Sequence, residues 1–542
     1  MAKRKPWSLC CYVCAAVICA TALVCLCTVW FAGSGSDCFR RAAVSADSQT
    51  CSEVGRNILK LGGSAVDGAI AALLCTSVVN PQSMGIGGGS IITVKDKTGN
   101  VKVYNFRETV PKSFKPDLLK DCPTSFKLVT GSQWIGVPGE LRGYEALHKQ
   151  YGKLPWDKLF EPTIKLAREG IPMPAFLGEL LSFPIVKKHV ESSSLCQVFC
   201  NDEKTVLGKD SVLKFPKLAD TMKTIAQSGA DAFYNGKIGL ALIQDVKAAG
   251  GTLETEDLKS FKVRVEDPWT VDLGKAKLHI PPPPAGGPLL AFILQLMKDY
   301  FQQTPVSGDK KIQMYHYYIE AVKFANGQKR KISDPLYNKN KSAEHLIQLS
   351  FINQIKKLIY SNRTSGKYDE PFSDHIGTTH VSVLDEHGLA VSATSTINHL
   401  FGGGIYSPQT GIILNNELSD FCGRADTVRA AILETNSGGT LVIGGSGGSM
   451  ITTAVALSII NHLWMGINLE KSIDDPIVFV DSQNTVSFES GFDKSVQDGL
   501  KALGHKVGDW KYFFNVVNAV EKENGCIVAV SDKRKKGKSD GY

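Results

Sequence analysis

The stretch GTTHVSVLDEHGLAVSATSTIN, from Gly377 to Asn398, decides how this chain reads. Polar and apolar residues alternate from Thr379 to Leu384 and again from Leu389 to Thr396, the period-2 pattern of two half-buried strands. The short DEHG turn between them predicts a hairpin, with a Gly-Thr junction at its head. If the Gly377–Thr378 bond is cut, Thr378 gains a free α-amine, which titrates near ~8 and can take the hydroxyl proton at neutral pH. Thr379 is a rival nucleophile by residue type. Spacing alone describes better an ordinary β-rich hairpin with surface threonines.

A chain of 542 residues exceeds one hydrophobic core, so two domains, or two processed pieces of one layered fold, are expected. The formal charge of +8 is diffuse. Its one dense run beyond the N-terminus, Lys533 to Lys538, lacks interleaved aromatics or a recognition helix; it reads as a solvated face, and nucleic acid is not an expected partner. No charged residue falls between Pro6 and Ser36, and Trp7 to Phe31 is long and apolar enough to span a bilayer. A signal peptide, with its apolar region of roughly 7–15 residues, is the alternative that Ala32-Gly33-Ser34 keeps open. Lys3, Arg4 and Lys5 precede the span, which keeps residues 1–6 cytoplasmic and exports the rest. The expectation is a single-pass type II plasma-membrane protein with residues 7–31 as signal anchor and an extracellular catalytic part.

Of the 14 cysteines, six lie in the anchor (Cys10, Cys11, Cys14, Cys19, Cys25 and Cys27), where they serve as small hydrophobes, with palmitoylation near Cys10 as another use. The other eight lie in the exported part, which meets an oxidising compartment, where Cys51 with Cys75 and Cys196 with Cys200 are disulfide candidates. Cys196-x3-Cys200 has no His or second cysteine pair at zinc spacing, and no metal is expected. Sequons at Asn340-Lys341-Ser342 and Asn362-Arg363-Thr364 fit an extracellular surface.

Between these landmarks, Cys51–Leu61 and Ser64–Val78 read as helices broken at Gly62-Gly63. The glycines Gly85, Gly87, Gly88 and Gly89 fit neither GxxxxGK[ST] nor GxGxxG, which argues against a phosphate cradle. Arg107 ends the strand-like VKVYNFRE, and its planar fork suits a carboxylate. Glu417 and Asp420, three apart in NNELSD, can share one side of a turn. GGSGG, Gly444 to Gly448, lies between the strand Thr440–Ile443 and the helix Met450–Trp464, where backbone N–H groups and the helix dipole favour negative charge. Pro281–Pro284 forms a stiff segment before an apolar helix at Leu289–Met297. Ser361–Asp374, polar and interrupted by Pro371, is an exposed linker candidate just before Gly377.

GTTHVSV, SATSTIN, GIILNNELSDF and GGSGG together resemble the small-subunit core of the γ-glutamyltransferases, which are N-terminal-nucleophile hydrolases. NPQSMGIGGG (Asn80–Gly89), NFRETVP (Asn105–Pro111), GVPGELRGY (Gly136–Tyr144) and PPPPAGG (Pro281–Gly287) resemble the large subunit, and the ending SDKRKKGKSDGY resembles the family's C-terminus. CTSVVNPQSMG and GIILNNEL resemble most the branch that cleaves leukotriene C4.

The resemblance implies an α/β fold, an αββα sandwich, cut into a large subunit, 32–377, and a small catalytic subunit, 378–542. Its register selects Thr378 as nucleophile, with Thr396 orienting the hydroxyl. Arg107 would hold the donor α-carboxylate; Asn398, Glu417 and Asp420 would hold the α-ammonium; Gly447 and Gly448 would form the oxyanion hole. It also implies Cys51–Cys75 and Cys196–Cys200 disulfides. The implied activity removes the γ-glutamyl group from glutathione or its S-conjugates and passes it to water, an amino acid or a peptide, with no cofactor.

One segment departs from the family pattern. The family carries a longer loop there, ending in a P-x-S-S-M-x-P-like segment whose serines bind the donor carboxylate. Here Ala425-Asp426-Thr427-Val428-Arg429-Ala430 stands against it. Thr427 keeps a hydroxyl, but Asp426 adds a negative charge, and two like charges ~4 Å apart at an effective dielectric of about 20 repel by about 4 kcal/mol. A donor-blind surface glycoprotein with a binding role only is therefore the alternative expectation.

Overall fold

The computed structural model describes residues 38–122, 128, 130–302, 309–336, 343–369, 377–422, 430–509 and 516–542. The expected tail and anchor (1–31), the Asn340 sequon, the end of the Ser361–Asp374 linker, and Asp426 and Thr427 lie outside the described residues. No described helix is long and apolar enough to cross a membrane.

In chain order the strands that build the fold begin with β1 (Ala43–Ser45), β2 (Gly89–Lys95), β3 (Val101–Asn105), β4 (Arg264–Glu266), β5 (Trp269–Asp272) and β6 (Ala276–Ile280). They continue with β7 (Thr379–Leu384), β8 (Ala390–Thr396), β9 (Ala430–Thr435), β10 (Thr440–Ser446), β11 (Val516–Glu523), β12 (Cys526–Ser531) and β13 (Asp540–Gly541). One sheet runs β13-β1-β7-β8-β2-β3-β4 and the other β12-β11-β10-β9-β6-β5. Both sheets mix strands from either side of Gly377, so the two expected subunits are pieces of one layered fold rather than separate domains.

The sheets pack face to face, β7 and β8 against β10 and β11. Helices α1 (Gln49–Lys60) and α2 (Ala65–Val79) share a core with the outer face of the first sheet, and α3 (Gly287–Gln302) and α4 (Ile451–Ile459) with that of the second. This is the expected αββα sandwich. Every residue of α2 is buried, as its continuous apolar sequence requires. A capping box starts it, Ser64 and Asp67 each accepting from the other's backbone N–H, and Cys51–Cys75 clips it to α1.

The expected hairpin is present, with Thr379 opposite Ser395 and Leu384 opposite Ala390. It differs in being buried on both faces. Val381, Val383, Val391 and Ala393 join the helix-side core, as the alternation demands. The polar set meets the second sheet instead of water: His380 contacts the Thr394 and Ser382 hydroxyls at 2.7 and 3.0 Å, and Ser382 donates to the Asn518 carbonyl at 3.2 Å. Hydroxyls and one imidazole that satisfy one another can fill an inter-sheet layer without stranded polar groups.

Candidate active site

Thr378 stands immediately before β7, and the hairpin register brings it level with Thr396 at the end of β8. The two hydroxyls are 3.3 Å apart, and Thr396 Oγ1 accepts the backbone N–H of Asn398 at 2.8 Å. Thr379, the rival by residue type, donates to Asp47 Oδ2 at 2.8 Å. Thr378 has φ 113°, a region that a β-branched residue rarely occupies and that stores strain. A Cβ on Gly377 would fall 1.9 Å from the Asn398 carbonyl oxygen, so the residue before Thr378 has to be glycine. His380, two residues on, is buried, with its pKa pushed down to about 3 by loss of solvation, and both ring nitrogens are taken by hydroxyls.

Below the junction lies a buried cation. Lys535 Nζ donates to the Thr378 carbonyl at 2.7 Å, to Asp47 Oδ2 at 2.9 Å and to Ser446 Oγ at 2.8 Å. Asp47 is completed by the Asn518 amide at 2.8 Å. This corrects the solvated-face reading of Lys533–Lys538: Lys535 is 5% exposed, and Arg534 turns inward to Glu489 and Asp532. Asp47, Ser446 and Lys535 escaped the sequence reading. The signal was one lysine among several in the 3-10 turn Lys533–Lys535 that follows β12, which composition alone does not single out.

On the other side, Arg107 and Glu417 form an ion pair. Glu417 and Asp420 both lie on the short 3-10 helix Glu417–Cys422, as their spacing suggested, but they take different partners. The Asn398 amide donates to Asp420 Oδ1 at 2.9 Å, and also to Ser419 Oγ at 3.2 Å and the Asn416 carbonyl at 3.1 Å. Asn415 holds the front of this turn, donating to the Gly87 and Gly136 carbonyls and accepting from Glu417 N. Arg107 Nη1, Glu417 Oε2 and Asn398 Oδ1 are buried without a hydrogen-bond partner among the described residues. Buried polar atoms left this way point to a polar ligand. Beneath them, burial pushes Glu108 up to about 7 despite Arg107 beside it. Glu140, which accepts from Ser90 and Ser395, is likewise pushed up to about 7 by burial.

The glycine turn is shorter than GGSGG suggested. β10 runs on to Ser446, paired with β11 through Gly444, Gly445 and Ser446, and Gly444 packs where any Cβ would strike the His380 ring. Only Gly447 and Gly448 form the turn, with φ 115° and 61°. Gly447 lines a pocket with Gly377, Ser83, Phe176, Leu180, Leu400 and Lys535. The implied Cys51–Cys75 and Cys196–Cys200 disulfides are both present, and Cys122–Cys422 is a third that sequence did not suggest.

Residues 51–542 match the sequence profile of the gamma-glutamyltranspeptidase family. The chain belongs to this family. It is similar to glutathione hydrolase 5 proenzyme of Rattus norvegicus, 43% identical over 93% of each chain. Among solved structures it shares its fold with cephalosporin acylase from Bacillus halodurans (TM-score 0.82, 22% identity, covering 94% of this chain and 97% of that one). It is also similar to Helicobacter pylori gamma-glutamyltranspeptidase (TM-score 0.53, 26% identity, covering 59% of this chain and 93% of that one). As a gamma-glutamyltranspeptidase family member the chain is an enzyme, and an N-terminal threonine nucleophile is a property of that family.

Proposed function

We propose that this chain cuts itself before Thr378 and then acts as a γ-glutamyl hydrolase and transferase on glutathione and its S-conjugates, leukotriene C4 among them. The observation that carries the proposal is the Thr378 hydroxyl, set against Thr396, with Asn398 leading from it to an array of one guanidinium and two carboxylates. That array matches the α-carboxylate and α-ammonium of a γ-glutamyl donor. In the precursor, Thr378 Oγ1 attacks the Gly377 carbonyl, the peptide becomes an ester, and water releases the Gly377 carboxylate and the Thr378 α-amine. The strained Thr378 backbone favours the shift.

In the cut enzyme the α-amine takes the Thr378 hydroxyl proton as the oxygen attacks the donor's γ-carbonyl. Arg107 holds the α-carboxylate, and Glu417, Asp420 and Asn398 hold the α-ammonium. Gly447 and Gly448 donate backbone N–H groups to the tetrahedral oxyanion; one such donor is worth about 3–4 kcal/mol of barrier. The departing amine receives the proton, and water or an acceptor amine then takes the γ-glutamyl group from its Thr378 ester. Likeness to a protein called a glutathione hydrolase proenzyme supports both donor and processing. A reducing denaturing gel and N-terminal sequencing test the reading. Two fragments, the smaller starting at Thr378, with loss of both cleavage and γ-glutamyl-p-nitroanilide turnover in Thr378→Ala, are expected. A smaller fragment with any other first residue overturns it.

For topology we propose the type II plasma-membrane orientation drawn from Lys3-Arg4-Lys5. The exposed Asn362 sequon is consistent with a lumenal face. Glycosidase treatment that leaves mobility unchanged, with an ectodomain spared by protease on intact cells, overturns this. Asp426 favours the second reading, a donor-blind protein. Rescue of negligible transferase activity by Asp426→Ser supports it, and equal activity of both forms removes it.

A further inference from the structure

We propose that the Cys122–Cys422 disulfide is a covalent cross-link between the two subunits and fixes the acidic turn that holds the donor amine; the inference rests on the proposed cut before Thr378. Cys122 and Cys422 are 300 residues apart and lie on opposite sides of that cut. Cys422 is the last residue of the turn Glu417–Cys422, two positions after Asp420. Cys122 follows the short helix Leu118–Asp121, in what becomes the large subunit. Around the bond, Leu118, Trp134 and Leu418 are buried together, and both cysteines pack against them.

The turn is thus held at its two ends by different means. Asn415 clamps the start through Gly87, Gly136 and Glu417 N. Cys422 clamps the finish, and Asp420 reaches Asn398 from between the clamps. Without the cystine, the end nearest Asp420 loses its covalent hold and keeps the packing of Leu418 and the Asn398 amide's bonds to Ser419 and Asp420, while Asn398 stays fixed through Thr396. Misplacing a substrate-positioning group by ~1 Å can lower catalytic efficiency on the order of 100-fold. Here the loss falls on a contact made in both ground and transition states, so it raises KM more than it lowers kcat. Cys122 and Cys422 are positioning residues.

After the cut the smaller piece carries just two cysteines, Cys422 and Cys526. Cys526 is also disulfide-bonded, so the link is tested in full-length Cys526→Ser. On a denaturing gel this chain should run as one band without reductant and as two with dithiothreitol; adding Cys122→Ser should give two bands in both lanes. Two bands without reductant in Cys526→Ser alone overturn the cross-link and leave processing intact. One band in both lanes shows an uncut chain, and the cross-link falls together with the processing proposal. If Cys526→Ser does not fold, a peptide map of the thiol-blocked natural chain decides: a Cys122–Cys422 peptide pair lost on reduction supports the bond, and its absence overturns it. For positioning, Cys122→Ser with Cys422→Ser should raise KM for γ-glutamyl-p-nitroanilide about tenfold or more with kcat nearly kept. A lower Tm with unchanged KM overturns the positioning role.

Discussion

Lys535 Nζ donates to the main-chain carbonyl of Thr378 at 2.7 Å while Asp47 Oδ2 holds the same ammonium at 2.9 Å. Their side chains are 4% and 0% exposed, so the pair lies in protein rather than water. It fixes the Thr378 carbonyl on one side as Thr396 faces the hydroxyl on the other. After a cut before Thr378, the cation also stands near the new α-amine, where a like charge disfavours the ammonium form and keeps the base neutral.

Lys535→Met should therefore be costly. It leaves Asp47 as a buried carboxylate without its cation, which typically costs about 3–5 kcal/mol. Adding Asp47→Asn should recover much of that stability, and the acid limb of kcat/KM should still lie at higher pH than in the natural chain. Urea denaturation and a pH–rate profile check this. A single variant within about 1 kcal/mol of the natural chain removes the pair from the site's framework.

Gly377→Ala should stop or severely slow self-cleavage, because the added Cβ meets the Asn398 carbonyl oxygen at 1.9 Å and must push the junction away from Thr396. One band on a reducing gel, from a chain that still melts cooperatively, is the expected result. Normal two-band processing shows that the junction shifts freely and that the close fit is incidental.

Much of this was legible in the sequence because hairpin and helix periodicities are local. The strand Thr379–Leu384 is found at its expected bounds, and both helices around Gly62-Gly63 within two residues of theirs. Alternation assigns Val381 and Val383 to one face and His380 and Ser382 to the other, but cannot tell a solvated face from one covered by a second sheet. The burial of that polar face was missed for this reason. Asp47 and Lys535 are 488 residues apart, and only the topology that puts β1 and β13 in one sheet brings them together. Cys122–Cys422 was hidden likewise, since spacing carries no information about a partner 300 residues away.

Glu140 should give stability a falling slope with pH. Its pKa rises from 4.5 to about 7 on folding, so the native chain binds the proton more tightly than the unfolded one. The stability this lends is fully present below about 4.5 and is lost as pH rises through about 7, a total on the order of 3 kcal/mol. Glu108 acts in the same direction. Glu140→Gln keeps an acceptor for Ser90 and Ser395 but cannot titrate, so it should flatten the decline in Tm between about pH 5 and about pH 7.5. An unchanged slope shows that Glu140 does not titrate in this range.

Arg107 and Glu417 are paired with each other, so a donor's α-carboxylate and α-ammonium exchange one internal ion pair for two external ones. A ligand with only one of those charges strands the opposite group, and truncating one partner of a buried charge pair costs about 2–5 kcal/mol. Donors lacking either the α-amine or the α-carboxylate should therefore lose kcat/KM by orders of magnitude. Arg107→Lys keeps the charge but loses the planar fork, including Nη1, which is buried with no hydrogen-bond partner among the described residues. It should raise KM by about tenfold or more, above roughly 1.4 kcal/mol, with kcat much less affected, because the contact is made in both ground and transition states. Steady-state kinetics with γ-glutamyl-p-nitroanilide measure both constants. An unchanged KM would place the donor carboxylate elsewhere and leave the Arg107–Glu417 pair a purely structural one.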